Sequence, residues 1–68
     1  MENIQYVDER EVSRITSRAL QTLRNDRHRG RGFPYTKIGR SVRYCLTDVV
    51  QFMEDRKIRP DAYHGGLS

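Results

Sequence analysis

Sixty-eight residues with a net charge of +4 describe one small basic domain, a size that buries only about 60% of the surface its unfolded chain exposes. The single cysteine, Cys45, excludes an intrachain disulfide and fits a reducing compartment; no apolar run approaches the roughly 20 residues of a membrane span, and Met1-Glu2-Asn3-Ile4 lacks a signal-peptide core. From Arg18 to Arg43, eight basic residues stand against one acid, Asp26, a local net of +7, while the rest of the chain sums to −3. Such a footprint most often meets nucleic acid, although basic surfaces also serve solubility.

Residues 1–5 carry no periodic signal and read as an N-terminal tail, and Tyr6-Val7 as a short extended entry. Asp8 is a good N-cap with Glu11 three residues on, a capping-box arrangement, and Glu9 and Glu11 suit the helix dipole. The first helix is therefore expected at about Glu9 to Ile15, with Val12 and Ile15 as its apolar stripe and Thr16-Ser17 ending it.

After a turn of about three residues comes a second helix, with Leu20 and Leu23 inward. Its outer face carries Gln21, Thr22, Asn25 and His28, joined by Arg18 at the entry and Arg24 at the border. A face built for solubility alone favours Glu and Lys at i and i+4. Gln, Asn, Arg and Thr are instead the types that make bidentate or methyl contacts with base edges, and a helix of about nine residues fits a major groove about 12 Å wide. Two helices joined by a tight turn, the second polar and basic, form a helix-turn-helix. Gly30 and Gly32 then break the helix, leaving Arg29 and Arg31 on a loop, and Pro34 enforces extension.

Thr36 to Tyr44 reads as a β-hairpin with a turn at Gly39-Arg40. A two-residue Gly39-Arg40 turn sets Lys37 opposite Val42; a three-residue Gly39–Ser41 loop pairs Ile38 with Val42 and Thr36 with Tyr44, leaving Lys37 opposite Arg43. The second register separates apolar from charged and is the expected one. Its like-charge pair calls for a nearby anion, so neutralising Lys37 or Arg43 should stabilise the free protein slightly while weakening its hold on DNA. A third helix follows, with Thr47 as its N-cap, Asp48 at its dipole, and Val49, Val50, Phe52 and Met53 as an apolar arc expected to pack on the first helix and the hairpin. Arg56-Lys57 suit its end, and residues 58–68 read as a flexible C-terminal tail.

The order helix, turn, helix, basic hairpin, helix, with Thr22-Leu23-Arg24-Asn25, Pro34-Tyr35, Lys37-Ile38-Gly39-Arg40, Val42-Arg43-Tyr44 and Asp48-Val49-Val50-Gln51-Phe52-Met53, resembles the small winged helix-turn-helix proteins of the excisionase and AlpA type, relatives of the DNA-binding end of MerR regulators. The resemblance covers about Tyr6 to Lys57. It implies an α+β fold over residues 6–57, a winged helix-turn-helix of three short helices with a two-stranded hairpin wing between the second and third. It also implies a sequence-specific double-stranded DNA-binding protein without cofactor or metal, a transcriptional regulator or excisionase of a phage or integrated element. Such a protein works in a prokaryotic cytoplasm at the nucleoid, beside a tyrosine integrase or RNA polymerase, as a monomer or a cooperative assembly on DNA. On this basis Arg18, Gln21, Thr22, Arg24, Asn25 and His28 read or flank bases, and Arg29, Arg31, Lys37, Arg40 and Arg43 neutralise phosphates.

Two departures stand out. Ala19 replaces the usual Ser or Thr cap, a loss of about 1 kcal/mol that leaves the second helix prone to fray, and Asp26 replaces an aromatic residue. Asp26 is expected to pair with Arg27 or Arg29 or to face away from DNA. Catalysis is not expected, because Cys45, His28 and His64 form no metal-ligand spacing and Gly30-Arg31-Gly32 follows a helix rather than preceding one. Cys45 reads as a partly exposed structural thiol. An alternative is an adaptor that holds an integrase or polymerase through the margin of the third helix, with nucleic-acid binding secondary. Single-stranded RNA is the weaker alternative, since Tyr35 is the one aromatic expected on the basic hairpin face.

Overall fold

The first helix starts where Asp8, in extended backbone, accepts the Glu11 N–H at 3.0 Å, and it runs as α1, Glu9–Thr16. The Glu11 carboxylate takes Arg14 instead of closing the capping box. The turn that follows is held by its own hydroxyls. Thr16 Oγ1 donates to the Val12 carbonyl at 2.7 Å and accepts the Arg18 N–H at 3.3 Å, Ser13 Oγ donates to the Arg18 carbonyl at 2.6 Å, and Ser17 takes a left-handed φ of 61°. The second helix, α2, spans Leu20–His28, and Ala19 at its N-cap supplies no side-chain bond.

The computed structural model describes residues 4–60; the expected tails fall mostly outside these. Within them the chain is a small α+β domain of three helices and a three-stranded antiparallel sheet. Tyr6–Val7, expected only as a short extended entry before Asp8, is strand β1, a third strand beside the expected two-stranded hairpin. It pairs with β3 (Ser41–Cys45), which also pairs with β2 (Thr36–Ile38), in the order β1-β3-β2.

The hairpin register corrects the expected one. Thr36 faces Arg43, Lys37 faces Val42 and Ile38 faces Ser41, so Gly39 and Arg40 form a two-residue turn. Gly39 has a φ of +59° and Arg40 no positive φ, the type II′ pattern that matches strand twist. Since directly opposed side chains share a face, Lys37, Val42 and Tyr44 lie on one side and Thr36, Ile38, Ser41 and Arg43 on the other. Val7 opposite Tyr44 fixes the first side as the inner one. Lys37 and Arg43 are thus on opposite faces, and the stabilisation expected from neutralising one of them falls away. Ile38, expected inside, is 69% exposed.

The core is Val12, Leu23, Phe33, Tyr44 and Val49, with Val7, Leu20, Val42 and Phe52 packed against it. Phe33 joins this core from the loop before the hairpin, and its ring centre lies 4.5 Å from that of Phe52. The third helix, α3, runs Leu46–Asp55, directly out of β3. Cys45 occupies its N-cap position, so Thr47 is within the helix and does not cap it; the Leu46 N–H is taken by the Gln5 carbonyl at 2.8 Å. Of the expected apolar arc only Val49 and Phe52 turn inward, while Val50 and Met53 are exposed.

Gly32 has a φ of +94°, and a Cβ placed on it would stand 2.9 Å from the Asp26 Cβ. Gly30 shares the positive φ but faces open space. Gly32→Ala should therefore lose about 2–3 kcal/mol of stability and Gly30→Ala about 1 kcal/mol. Urea unfolding reads both, and equal losses would count against a tight Gly32–Asp26 approach.

Candidate nucleic-acid interface

On α2 the two leucines turn inward, and 3.6 residues per turn dictates the rest. Gln21, Asn25 and His28, at i, i+4 and i+7, share the exposed face. Gln21 Nε2 donates to Asn25 Oδ1 at 3.1 Å, which aligns the two amides. Whichever way the amides are turned, one oxygen and one NH2 group still point outward. Thr22 is half-buried on the flank of this line rather than in it.

Arg24, expected to read bases, is engaged elsewhere. Its Nε donates to Glu9 Oε1 at 3.3 Å and its Nη2 to Oε2 at 2.6 Å, a fork-on-fork pair that ties α2 to the start of α1. Arg27 joins the same carboxylate at 3.4 Å, donates to the Tyr44 hydroxyl at 2.8 Å and stacks 5.8 Å from the centre of the Tyr35 ring. Hydrogen bonding from Arg24 is the largest influence on the Glu9 carboxyl; with both guanidinium charges it outweighs partial burial and holds the group below its ordinary range. The same bond raises Arg24.

Arg18 lies in the turn ahead of α2, not on it, and pairs with Asp26 at 3.3 Å; Arg31 approaches the other oxygen of that carboxylate at 3.6 Å. Asp26 thus pairs with nearby arginines, as expected, but these are Arg18 and Arg31 rather than Arg27 or Arg29. Arg27 points along the leucine side toward Tyr44, and the backbone N–H of Arg29 closes the helix onto the Asn25 and Asp26 carbonyls. On the inner side of the hairpin, Lys37, Tyr35 and Arg40 share a hollow with Arg27 and His28. Arg43 stands on the outer face, its guanidinium turned to the Val42 carbonyl at 2.9 Å.

Gln21, Asn25 and His28 thus share one face of α2, and His28 shares a hollow with Lys37 and Arg40; Arg18 and Arg31 form a separate group, and Arg43 lines a further hollow with Arg10, Arg27 and Arg40. Sequence reasoning missed Arg27, although its place four residues after Leu23 puts it on the inward side. It also missed Glu9 as the anchor of two arginines, for which no local signal exists. Among the described residues, no cluster of three His, Cys, Asp or Glu could hold a metal ion.

The Glu9 pairing carries a pH signature. A carboxyl lowered in the folded state stabilises above its ordinary value of 4.5 and loses that contribution as the pH falls through the folded value. Glu11, lowered chiefly by its hydrogen bond from Arg14, acts in the same direction. Glu9→Gln should lower stability at neutral pH by about 1 kcal/mol and flatten the acid limb below pH 4.5; denaturant titrations at neutral and acid pH check it, and an unchanged acid limb would refute the assignment. Comparison with protein-family models, curated proteins and solved structures finds no match to this chain.

Proposed function

We propose that this chain is a sequence-specific double-stranded DNA-binding protein of winged helix-turn-helix type, acting as a transcriptional regulator or excisionase of a mobile element. The observation that carries this reading is the exposed Gln21–Asn25–His28 line on α2, whose His28 end shares a hollow with Lys37 and Arg40 of the hairpin. Amides and imidazole match the donor and acceptor pattern of base edges, above all adenine N6 and N7 for Gln and Asn. The adjoining cations supply what phosphates require.

In this reading α1 and α2 are the helix-turn-helix, α2 enters the major groove and the β2–β3 hairpin is the wing. Lys37, Arg40, Arg43, Arg29 and Arg31 neutralise phosphates. A second reading, an adaptor for a protein partner, draws on Val50 and Met53, which are 52% and 45% exposed on α3.

If about five phosphates are neutralised, log affinity for duplex DNA falls against log salt with a slope near −4.5. Affinity almost independent of salt would remove the wing from the interface, and capture of a protein partner with no duplex binding would favour the adaptor. Asn25→Ala should cost about 1–3 kcal/mol of discrimination between sites selected from a random duplex pool, with affinity for unrelated DNA retained. Unchanged site preference in that variant would count against α2 as the reading helix.

A further inference from the structure

We propose that Arg18 and Arg31, paired on Asp26, form with Arg56 a second phosphodiester-binding hollow on the side of α2 away from the hairpin. The inference rests on the DNA-binding reading and adds a site to it. The three guanidiniums line one hollow floored by Phe33 and Phe52. Arg56 is new to the interface: it lies 3.4 Å above the Phe52 ring and donates from Nη1 to the Phe52 carbonyl at 3.2 Å. The acids beside it in sequence are used by others, Glu54 by Lys57 and Asp55 by Gln51.

Charge and exposure define what the hollow takes. Three cations share the hollow with one anion, a surplus that favours a further anion. The Asp26 side chain is 18% exposed while those of Arg18 and Arg31 are 46% and 65% exposed, so the carboxylate forms the floor and the guanidiniums the rim. Each guanidinium has five N–H donors in a fork suited to two phosphate oxygens.

The loop is built to hold Arg31 there. The Asp26 carbonyl accepts the N–H of both Arg29 and Arg31, and the chain closes over Asp26 only because residue 32 has no Cβ.

Position does the rest. Arg24 and Asp26 are two residues apart, about 200° round the helix, and Asn25 points outward midway between them. The reading line therefore has the Arg24, Arg27 and hairpin group on one flank and the Arg18, Arg31 and Arg56 group on the other. A helix of about 10–12 Å diameter fills a major groove about 12 Å wide, so groups on its two flanks meet the two phosphate walls.

The experiment is a salt titration of binding to a short mixed-sequence duplex. The proteins are the wild type, Arg31→Ala, Arg31→Ala/Arg56→Ala, Arg31→Lys, Arg40→Ala and Arg31→Ala/Arg40→Ala, each checked for folding by circular dichroism. Loss of one phosphate contact reduces the slope by about 0.9, so the double variant should lose about 3.5-fold less affinity than wild type between about 50 and 200 mM salt. Arg31→Ala alone, on an exposed loop, should show a shallower slope that Arg31→Lys restores. Because the two groups meet different phosphates, Arg40→Ala should reduce the slope by the same amount with or without Arg31. Duplex binding with an unaltered slope in both alanine variants, or loss of the Arg31 effect in the Arg40→Ala background, would overturn the hollow while leaving DNA binding intact. No duplex binding by the wild type would overturn both.

Discussion

Glu9 is the point at which the two helices and the sheet are tied together. One residue inside α1, its carboxylate receives Arg24 and Arg27 from α2, and Arg27 reaches on to the hydroxyl of Tyr44 in β3. Tyr44 is 2% exposed, so its ring belongs to the core while its hydroxyl needs a partner, and Arg27 is that partner. A core of five buried side chains leaves the orientation of a short hairpin weakly determined. The polar junction supplies the missing constraint, and with it the placement of Lys37 and Arg40 beside His28.

The parts legible in the sequence were those with local causes. Asp8 and the polar run after Ile15 delimit α1, and the leucines with the following glycines delimit α2, because capping and helical spacing act over a few residues. The features that escaped are those settled by distant partners. Two residues cannot announce a strand by periodicity, and β1 exists because β3 offers it an edge. Thr47 looked like a cap, but α3 begins earlier because the Gln5 carbonyl, from the other end of the domain, accepts the Leu46 N–H. Ile38, Val42 and Tyr44 read as one apolar face, yet Phe33 joins the core from the loop, and the turn chemistry of Gly39 then decides the register. In the candidate interface the exposed amides were legible and the engagement of Arg18 and Arg24 was not, since composition shows the sign of a charge but not its counter-ion.

The basic window therefore divides into two kinds of cation. Arg24 and Arg27 are held by Glu9, and Arg18 and Arg31 by Asp26, each carboxylate less exposed than the Arg24, Arg18 and Arg31 partners that rise round it. Lys37, Arg40 and Arg43 make no ion pair among the described residues. The held arginines have already lost side-chain freedom, so an incoming phosphate oxygen meets oriented donors rather than mobile ones. On the DNA-binding reading the held arginines set the geometry of docking, and every cation of either kind that neutralises a phosphate adds to its dependence on salt.

That division also bears on how much one copy of the domain can specify. A single nine-residue helix with two amides and an imidazole outward reads few base pairs. On the DNA-binding reading, at about 1–3 kcal/mol for each good base contact, Gln21 and Asn25 together would supply about 2–6 kcal/mol of discrimination. A DNA-binding protein that finds its site among genomic competitors requires about 4–10 kcal/mol over non-specific binding. One domain thus falls at or below the lower half of that range, and the hairpin cations add affinity without adding sequence information. Selective occupancy of a site then calls for more than one reading helix on the same DNA, supplied by further copies of this chain or by a neighbouring DNA-bound protein.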